Sequence, residues 1–192
     1  MGGLALVLTL GVVAAAQEVR VAYSHAGEKL SLTGVGNFGR MSERLYRGAQ
    51  PTPSGFVALK QMNIDTVVRF SMGDEGAATE QAQVESLGMS FVNLPWSTQG
   101  EPDREQVATF FALMRDHPTA RVFVHCKAGA DRTGVMVAIY RITFDHWSTA
   151  QAISEMNAFH YHFIFLPHLQ WYVEKFPAEF SIESAQQTQG PE

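Results

Sequence analysis

Cysteine is almost absent from this chain of 192 residues, which holds only Cys126. No intrachain disulfide can form, so the cysteine content neither supports nor contradicts export. An oxidised Cys126 would have no second thiol to capture it as an internal disulfide. Clustered positive charge is also missing. Lys and Arg total 14 against 19 Asp and Glu, a net charge of −5, so nucleic acid is not an expected partner. Charged residues are scarce at 17% while apolar ones reach 46%, which sets the chain apart from disordered sequences. The apolar run Leu4 to Val13 is too short for a comfortable membrane span. Ala14, Ala15 and Ala16 follow it, and the first charge is Glu18. Residues 1–16 therefore read as a signal peptide, giving a secreted or periplasmic protein. No Lys or Arg precedes the run, which leaves a misplaced start or an uncleaved anchor as alternatives.

The remainder reads as one domain with a sizeable core. Residues 17–37 read as a flexible leader, 38–177 as the folded domain and 178–192 as a disordered polar tail. Phe38 to Arg47 suggests one or two short edge strands. Thr52 fits a helix N-cap and Pro53 the first helical position. Ile64 to Phe70 is a β-branched strand, Ser71 to Gly76 a polar loop, and Glu80 to Leu87 a helix stopped by Gly88. Met89 to Leu94 is the next strand. Asp103 to His117 carries Val107, Phe110, Phe111 and Met114 on one helical face, and Pro118 ends it. Ser148 and Gln151 form a capping-box pattern, and a last helix spans Pro167 to Phe176. Strands alternating with helices predict an α/β domain with a mostly parallel sheet of about four to five strands, flanked by helices on both faces.

The chemistry concentrates where Val122-Phe123-Val124, a buried strand, meets Gly134 to Ile142, a buried helix. Between them run His125-Cys126-Lys127-Ala128-Gly129-Ala130-Asp131-Arg132-Thr133. A helix N-terminus offers unpaired N–H groups and partial positive charge, and a short loop of small residues can turn successive amides inward as an anion nest. Ala128, Gly129 and Ala130 let the backbone close in, and Arg132 offers a planar fork for two phosphate oxygens. Such a field favours the thiolate of a cysteine, so Cys126 is expected to attack phosphorus in line and form a covalent intermediate. His125 is expected to hydrogen-bond into the loop and hold its shape.

His125-Cys126, five residues, then Arg132-Thr133-Gly134 resembles the phosphate loop of cysteine-dependent protein tyrosine and dual-specificity phosphatases. Tyr46-Arg47-Gly48-Ala49-Gln50-Pro51 resembles the entry segment of compact atypical dual-specificity phosphatases, bacterial ones included. The resemblance covers roughly residues 38–176 and implies a metal-independent phosphomonoester hydrolase that needs no cofactor. Its substrates would be phosphotyrosine, phosphoserine or phosphothreonine proteins, or phosphoinositides, and a monomer is expected. Substrate contacts would come from Lys127, Ala128, Gly129, Ala130, Thr133 and His125. Thr133 would hydrogen-bond the Cys126 thiolate, cap the buried helix, or do both.

Most of this superfamily carries a general-acid Asp on a separate loop before the nucleophile. Here the positions after Pro95 are Trp96, Ser97 and Thr98, and the first carboxylates are Glu101 and Asp103. Asp103, with Gln106 three residues on, reads as a helix cap. The preferred acid is Asp131, because Asp-Arg-Thr resembles the loops of myotubularin-type phosphatases, in which the loop Asp serves as the acid. Its alternative role is to brace Arg132 or a backbone amide.

Arg47 reads as a surface residue of its turn. Arg69 either faces the phosphate pocket or is an exposed sheet-edge charge. His160, His162 and His168 pack under the loop or line the pocket rim; a metal site is not expected, for lack of further ligands. The alternative functions are a catalytically weak phospho-ligand-binding module, and sulfur transfer or arsenate reduction.

Overall fold

The computed structural model describes residues 26–176. The expected signal peptide and polar tail lie outside the described residues. Within them the elements are β1 (Glu28–Lys29), β2 (Gly39–Arg40), β3 (Leu45–Ala49), α1 (Pro53–Gln61), β4 (Thr66–Arg69), α2 (Asp74–Ser86), β5 (Ser90–Asn93), α3 (Arg104–Asp116), β6 (Val122–Cys126), α4 (Asp131–Phe144) and α5 (Thr149–Ala158). A further helix, α6, spans residues 167–176. Among the described residues, no helix is long and apolar enough to cross a membrane.

One six-stranded sheet runs in the order β1-β2-β3-β6-β4-β5. β3, β6, β4 and β5 are parallel, and β1 and β2 add an antiparallel extension. This is the expected mostly parallel sheet with one more strand. β3 is no edge strand: it pairs with β6 from Leu45↔Val122 to Ala49↔Cys126 and is buried along most of its length. The leader expectation also needs correction over residues 26–37. Lys29 pairs with Gly39, Leu30 N–H bonds Phe38 O at 3.0 Å, and Val35 is buried.

Two apolar layers sandwich the sheet. Val122, Val124 and Cys126 face the larger one, with Phe110, Val135, Ile139 and Val173. Phe123 faces the other, with Phe56, Leu59, Ile64 and Val84. Alternation along a strand therefore sends Cys126 and His125 to opposite faces. β6 is central, so its C-terminal end, where ligands gather in open α/β sheets, falls at the middle of the sheet edge.

Two helices begin earlier than the sequence suggested. α2 starts at Asp74 rather than Glu80, because Gly76, Ala77 and Ala78 carry no apolar period to read. α4 starts at Asp131 rather than Gly134, so Asp131 and Arg132 belong to its first turn. α3 and α5 begin as expected, with capping boxes at Asp103/Gln106 and Ser148/Gln151.

Under α4 lies a buried ion pair. Arg141 donates to Glu155 through Nε at 3.1 Å and Nη2 at 2.9 Å, to Asp145 at 2.7 Å and to Met41 O at 2.8 Å. Its guanidinium stacks on Trp147 at 4.3 Å. Glu155 also accepts from Gly27 N–H at 2.7 Å, which ties the start of the described chain to α5. Glu155→Ala is expected to cost about 3–5 kcal/mol, since removing one partner of a buried pair strands the other charge. Urea denaturation against the parent protein checks this.

Candidate active site

The site is built at the end of β6, where Cys126 is buried at the strand terminus and α4 begins five residues later. Only Lys127 to Ala130 lie outside regular elements. Their carbonyls are all tied away from the pocket. Lys127 O accepts from Gln50 N–H at 3.3 Å. Ala128 O and Gly129 O accept from Asn37 Nδ2 at 3.4 and 3.0 Å. Gly129 O and Ala130 O accept from Arg47 Nη2 at 2.8 and 3.4 Å. A trans peptide holds its N–H opposite its C=O. Four carbonyls tethered outward therefore turn the amides of residues 128–131 inward, around the thiol, at the positive end of α4.

Gly129 has φ +66°, and a Cβ there would sit 2.2 Å from the carbonyl carbon of Gly48. The loop rests directly on β3, and only glycine permits both the turn and the approach. Asn37 also takes a left-handed backbone, φ 48°, which short polar residues tolerate. It anchors a third carbonyl, Phe159 O, at 3.0 Å.

Arg47 corrects the surface reading. It is fully buried on the interior strand β3, with its guanidinium 4.4 Å from the Phe159 ring. Burial pulls its pKa down to about 10, opposed by Glu155 and by Cys126. The group stays cationic at neutral pH and adds positive charge beneath the loop. Sequence reasoning missed it because an Arg in a short strand before a turn usually reaches solvent. The available signal was its place inside Tyr46–Pro51, the string that resembles the family entry segment.

Arg69 is neither a pocket residue nor an exposed edge charge. It is buried, donates to Ser71 O at 2.6 Å and Asn93 Oδ1 at 3.1 Å, and pairs with Glu80 at 3.3 Å. Glu80 Oε1 lies 2.6 Å from His125 Nε2. His125 therefore serves the far face of the sheet, and meets the loop only through Nδ1, 3.4 Å from Cys126 O. Glu80 is a supporting residue that the sequence reading passed over. Its position in a polar helix gave no sign of burial.

Arg132 points its Nη1 at Trp96 O, 3.2 Å, and Phe70 O, 3.5 Å. Its Nε is buried with no hydrogen-bond partner among the described residues, and the same holds for Thr133 Oγ1. The expected Thr133 bond to Cys126 is thus not formed. Both groups remain as donors in the first turn of α4. Asp131, in the same turn, accepts from His162 N–H at 3.0 Å, and His162 Nδ1 lies 3.1 and 3.2 Å from its two oxygens. Asp103 is the exposed N-cap of α3 and accepts from Gln106 N–H at 2.8 Å. The 95–102 loop is pinned by Gln106 Nε2 on Pro95 O at 2.7 Å and by His168 Nε2 at Thr98 O, 2.8 Å. His160 Nε2 lies 3.0 Å from Lys29 Nζ. No cluster of three or more His, Cys, Asp or Glu able to hold a metal occurs among the described residues.

A thiol at a strand end, ringed by inward amides and followed by an arginine in the first helical turn, has the geometry that an oxyanion-binding loop on an α/β sheet requires. The chain belongs to the dual-specificity and tyrosine phosphatase family. Residues 31–164 match the family described as DSP-PTPase phosphatase fused to NAD+ kinase. Among curated proteins it is similar to the dual specificity protein phosphatase TpbA of Pseudomonas aeruginosa, 34% identical over 121 residues, covering 63% of this chain and 53% of that protein. It is also similar to the mouse phosphatidylglycerophosphatase and protein-tyrosine phosphatase 1, 30% identical over 126 residues, covering 65% and 63%. The match thus spans about half the length of TpbA. The crystal structure of P. aeruginosa TpbA superposes with a TM-score of 0.65 at 26% identity, covering 78% of this chain and 89% of that one.

Arg47→Met is expected to release Gly129 O and Ala130 O and weaken inorganic phosphate or vanadate binding by about tenfold or more, as lost charge-assisted hydrogen bonds imply. Calorimetric titration against the parent, alongside a stability measurement, checks it.

Proposed function

We propose that this protein hydrolyses phosphomonoesters through a phosphocysteine on Cys126, without metal or cofactor. The observation that carries the reading is the outward tethering of four consecutive loop carbonyls around that thiol. Cys126 Sγ attacks phosphorus, the S–P bond forms and the P–O bond to the leaving group breaks. The inward amides and Arg132 Nε oppose the charge on the equatorial oxygens. Asp131 gives the leaving oxygen a proton, then takes one from the water that attacks phosphorus and frees the thiolate. Lying in the first turn of α4, Asp131 is closer in the chain to the reacting groups than Asp103, whose carboxylate is already engaged as a cap.

The proposed substrate is a phosphorylated protein, with phosphotyrosine the leading form. The TpbA structure in complex with phosphotyrosine, 26% identical with a TM-score of 0.64, supports this. Exposed Lys127 at the loop mouth, together with the lipid-phosphate activity in the mouse relative's name, favours a phosphoinositide as the second reading. The protein is proposed to act as a monomer after export, on the strength of the apolar run Leu4 to Val13 and the small residues that follow it.

Phosphate release from a panel of phosphopeptides and phosphoinositides tests the reading. Cys126→Ser should lose about 10³-fold or more of turnover, as removal of a nucleophile does. Phosphate bound without turnover by the parent would instead indicate a phospho-ligand-binding module. Asp131→Asn should slow an alkyl phosphate more than an activated aryl phosphate. If Asp103→Asn alone shows that pattern, the acid is Asp103.

A further inference from the structure

His162 holds Asp131 from a purpose-built mount. Its carbonyl accepts from Phe165 N–H at 3.1 Å and Leu166 N–H at 3.0 Å, which closes the turn after it. The Tyr161 hydroxyl donates to Leu166 O and accepts from Gln170 N–H at 3.1 Å, which fastens that turn to α6. The imidazole then spans both oxygens of Asp131, while the His162 N–H fixes one of them. The Asp131 side chain is 16% exposed and that of His162 is 50% exposed, so the pair links the loop to solvent.

This arrangement answers a difficulty in the acid assignment. An ordinary Asp, with a pKa of about 3.9, is ionised at neutral pH and has no proton to give. An imidazole titrates near 6.5. A carboxylate and an imidazole in contact can exchange a proton, and their protons belong to the pair rather than to either group. We propose that His162 supplies the proton that Asp131 delivers, acting through Asp131 and never on the substrate; this rests on the reading of Asp131 as the acid. In the first step the S–P bond forms and the P–O bond breaks. The Nδ1 proton of His162 moves to Asp131, and Asp131 passes a proton to the leaving oxygen, which leaves the carboxylate ionised and the imidazole neutral. In the second step water bonds to phosphorus and the S–P bond breaks. The water proton passes to Asp131, and the pair regains the proton on Nδ1.

The other titratable and charged groups nearby are Arg132, next to Asp131 in α4; Cys126 at the end of β6 and Lys127 in the loop; His160 and Tyr161 in the approach to the turn; and Glu174 in α6. Burial above all, with Asp131 and Glu174 adding to it, holds the Tyr161 phenol above its usual range. An acid must be protonated to work. Turnover of a poor leaving group should therefore fall as pH rises through the range of the pair.

The test is the pH dependence of kcat for an alkyl phosphate, with p-nitrophenyl phosphate as control, in the parent, His162→Asn, His162→Ala, Asp131→Asn and the double variant Asp131→Asn/His162→Asn. Asn keeps a donor near the Nδ1 position but cannot store a proton. In the parent the fall should lie in the imidazole range. In both His162 variants it should move towards the carboxylate range. At pH 7.5 the loss on the alkyl phosphate should be about tenfold or more, and it should shrink as the pH falls towards the carboxylate range, with little change on the activated ester at any pH. The double variant should be no worse than Asp131→Asn. If His162→Asn matches the parent profile, His162 merely orients Asp131 and the proposal is overturned. If Asp131→Asn leaves alkyl phosphate turnover intact, the acid assignment itself fails, and this proposal fails with it.

Discussion

The site depends on one constraint, the direction of four peptide planes. Lys127 to Ala130 have no regular secondary structure to fix them, and the small residues Ala128 to Ala130 add little of their own. Orientation comes from behind. Gln50, Asn37 and Arg47 hold the carbonyls, so the amides face the thiol. Preorganised dipoles of this kind stabilise developing charge without reorganising at the moment of reaction. The arrangement also explains a buried cation. Arg47 binds from below two carbonyls whose peptide planes turn towards Cys126 above.

A second layer of support comes from the far side of the sheet. Alternation along β6 places Cys126 towards α4 and His125 towards α2. Arg69, Glu80 and His125 form a buried polar chain there, directly beneath the strand end that presents Cys126. Buried networks of this kind are stabilising only when their members find partners. Arg69 meets that condition through Ser71 O and Asn93. The chemistry thus sits on one face of the strand and its foundation on the other.

Cys126 and Arg132 stood out in the sequence because a lone Cys between an apolar strand and an apolar helix, with small residues and then Arg132, has few structural uses. The parallel sheet and the caps at Thr52, Asp103 and Ser148 were legible for similar reasons: local patterns with local causes. What sequence could not give was the partner of each polar residue. Arg47, Arg69 and Glu80 are buried through contacts 11 to 82 positions apart, and no period announces that. α4 begins three residues early because its first turn, Asp131 to Thr133, is polar and so carries no apolar signal. Membership in the dual-specificity and tyrosine phosphatase family matches what the loop implied, while the contact of Asp131 with His162 joins two segments distant in the chain, which no local pattern announces.

The most direct measurement of the central claim is a crystal structure with vanadate or tungstate bound. The account predicts the anion seated over Cys126 Sγ, contacted by the amides of residues 128–131 and by Arg132 Nε. Gly129 O and Ala130 O should still lie on Arg47. An anion bound elsewhere, or a loop whose carbonyls have turned towards the thiol, would contradict it.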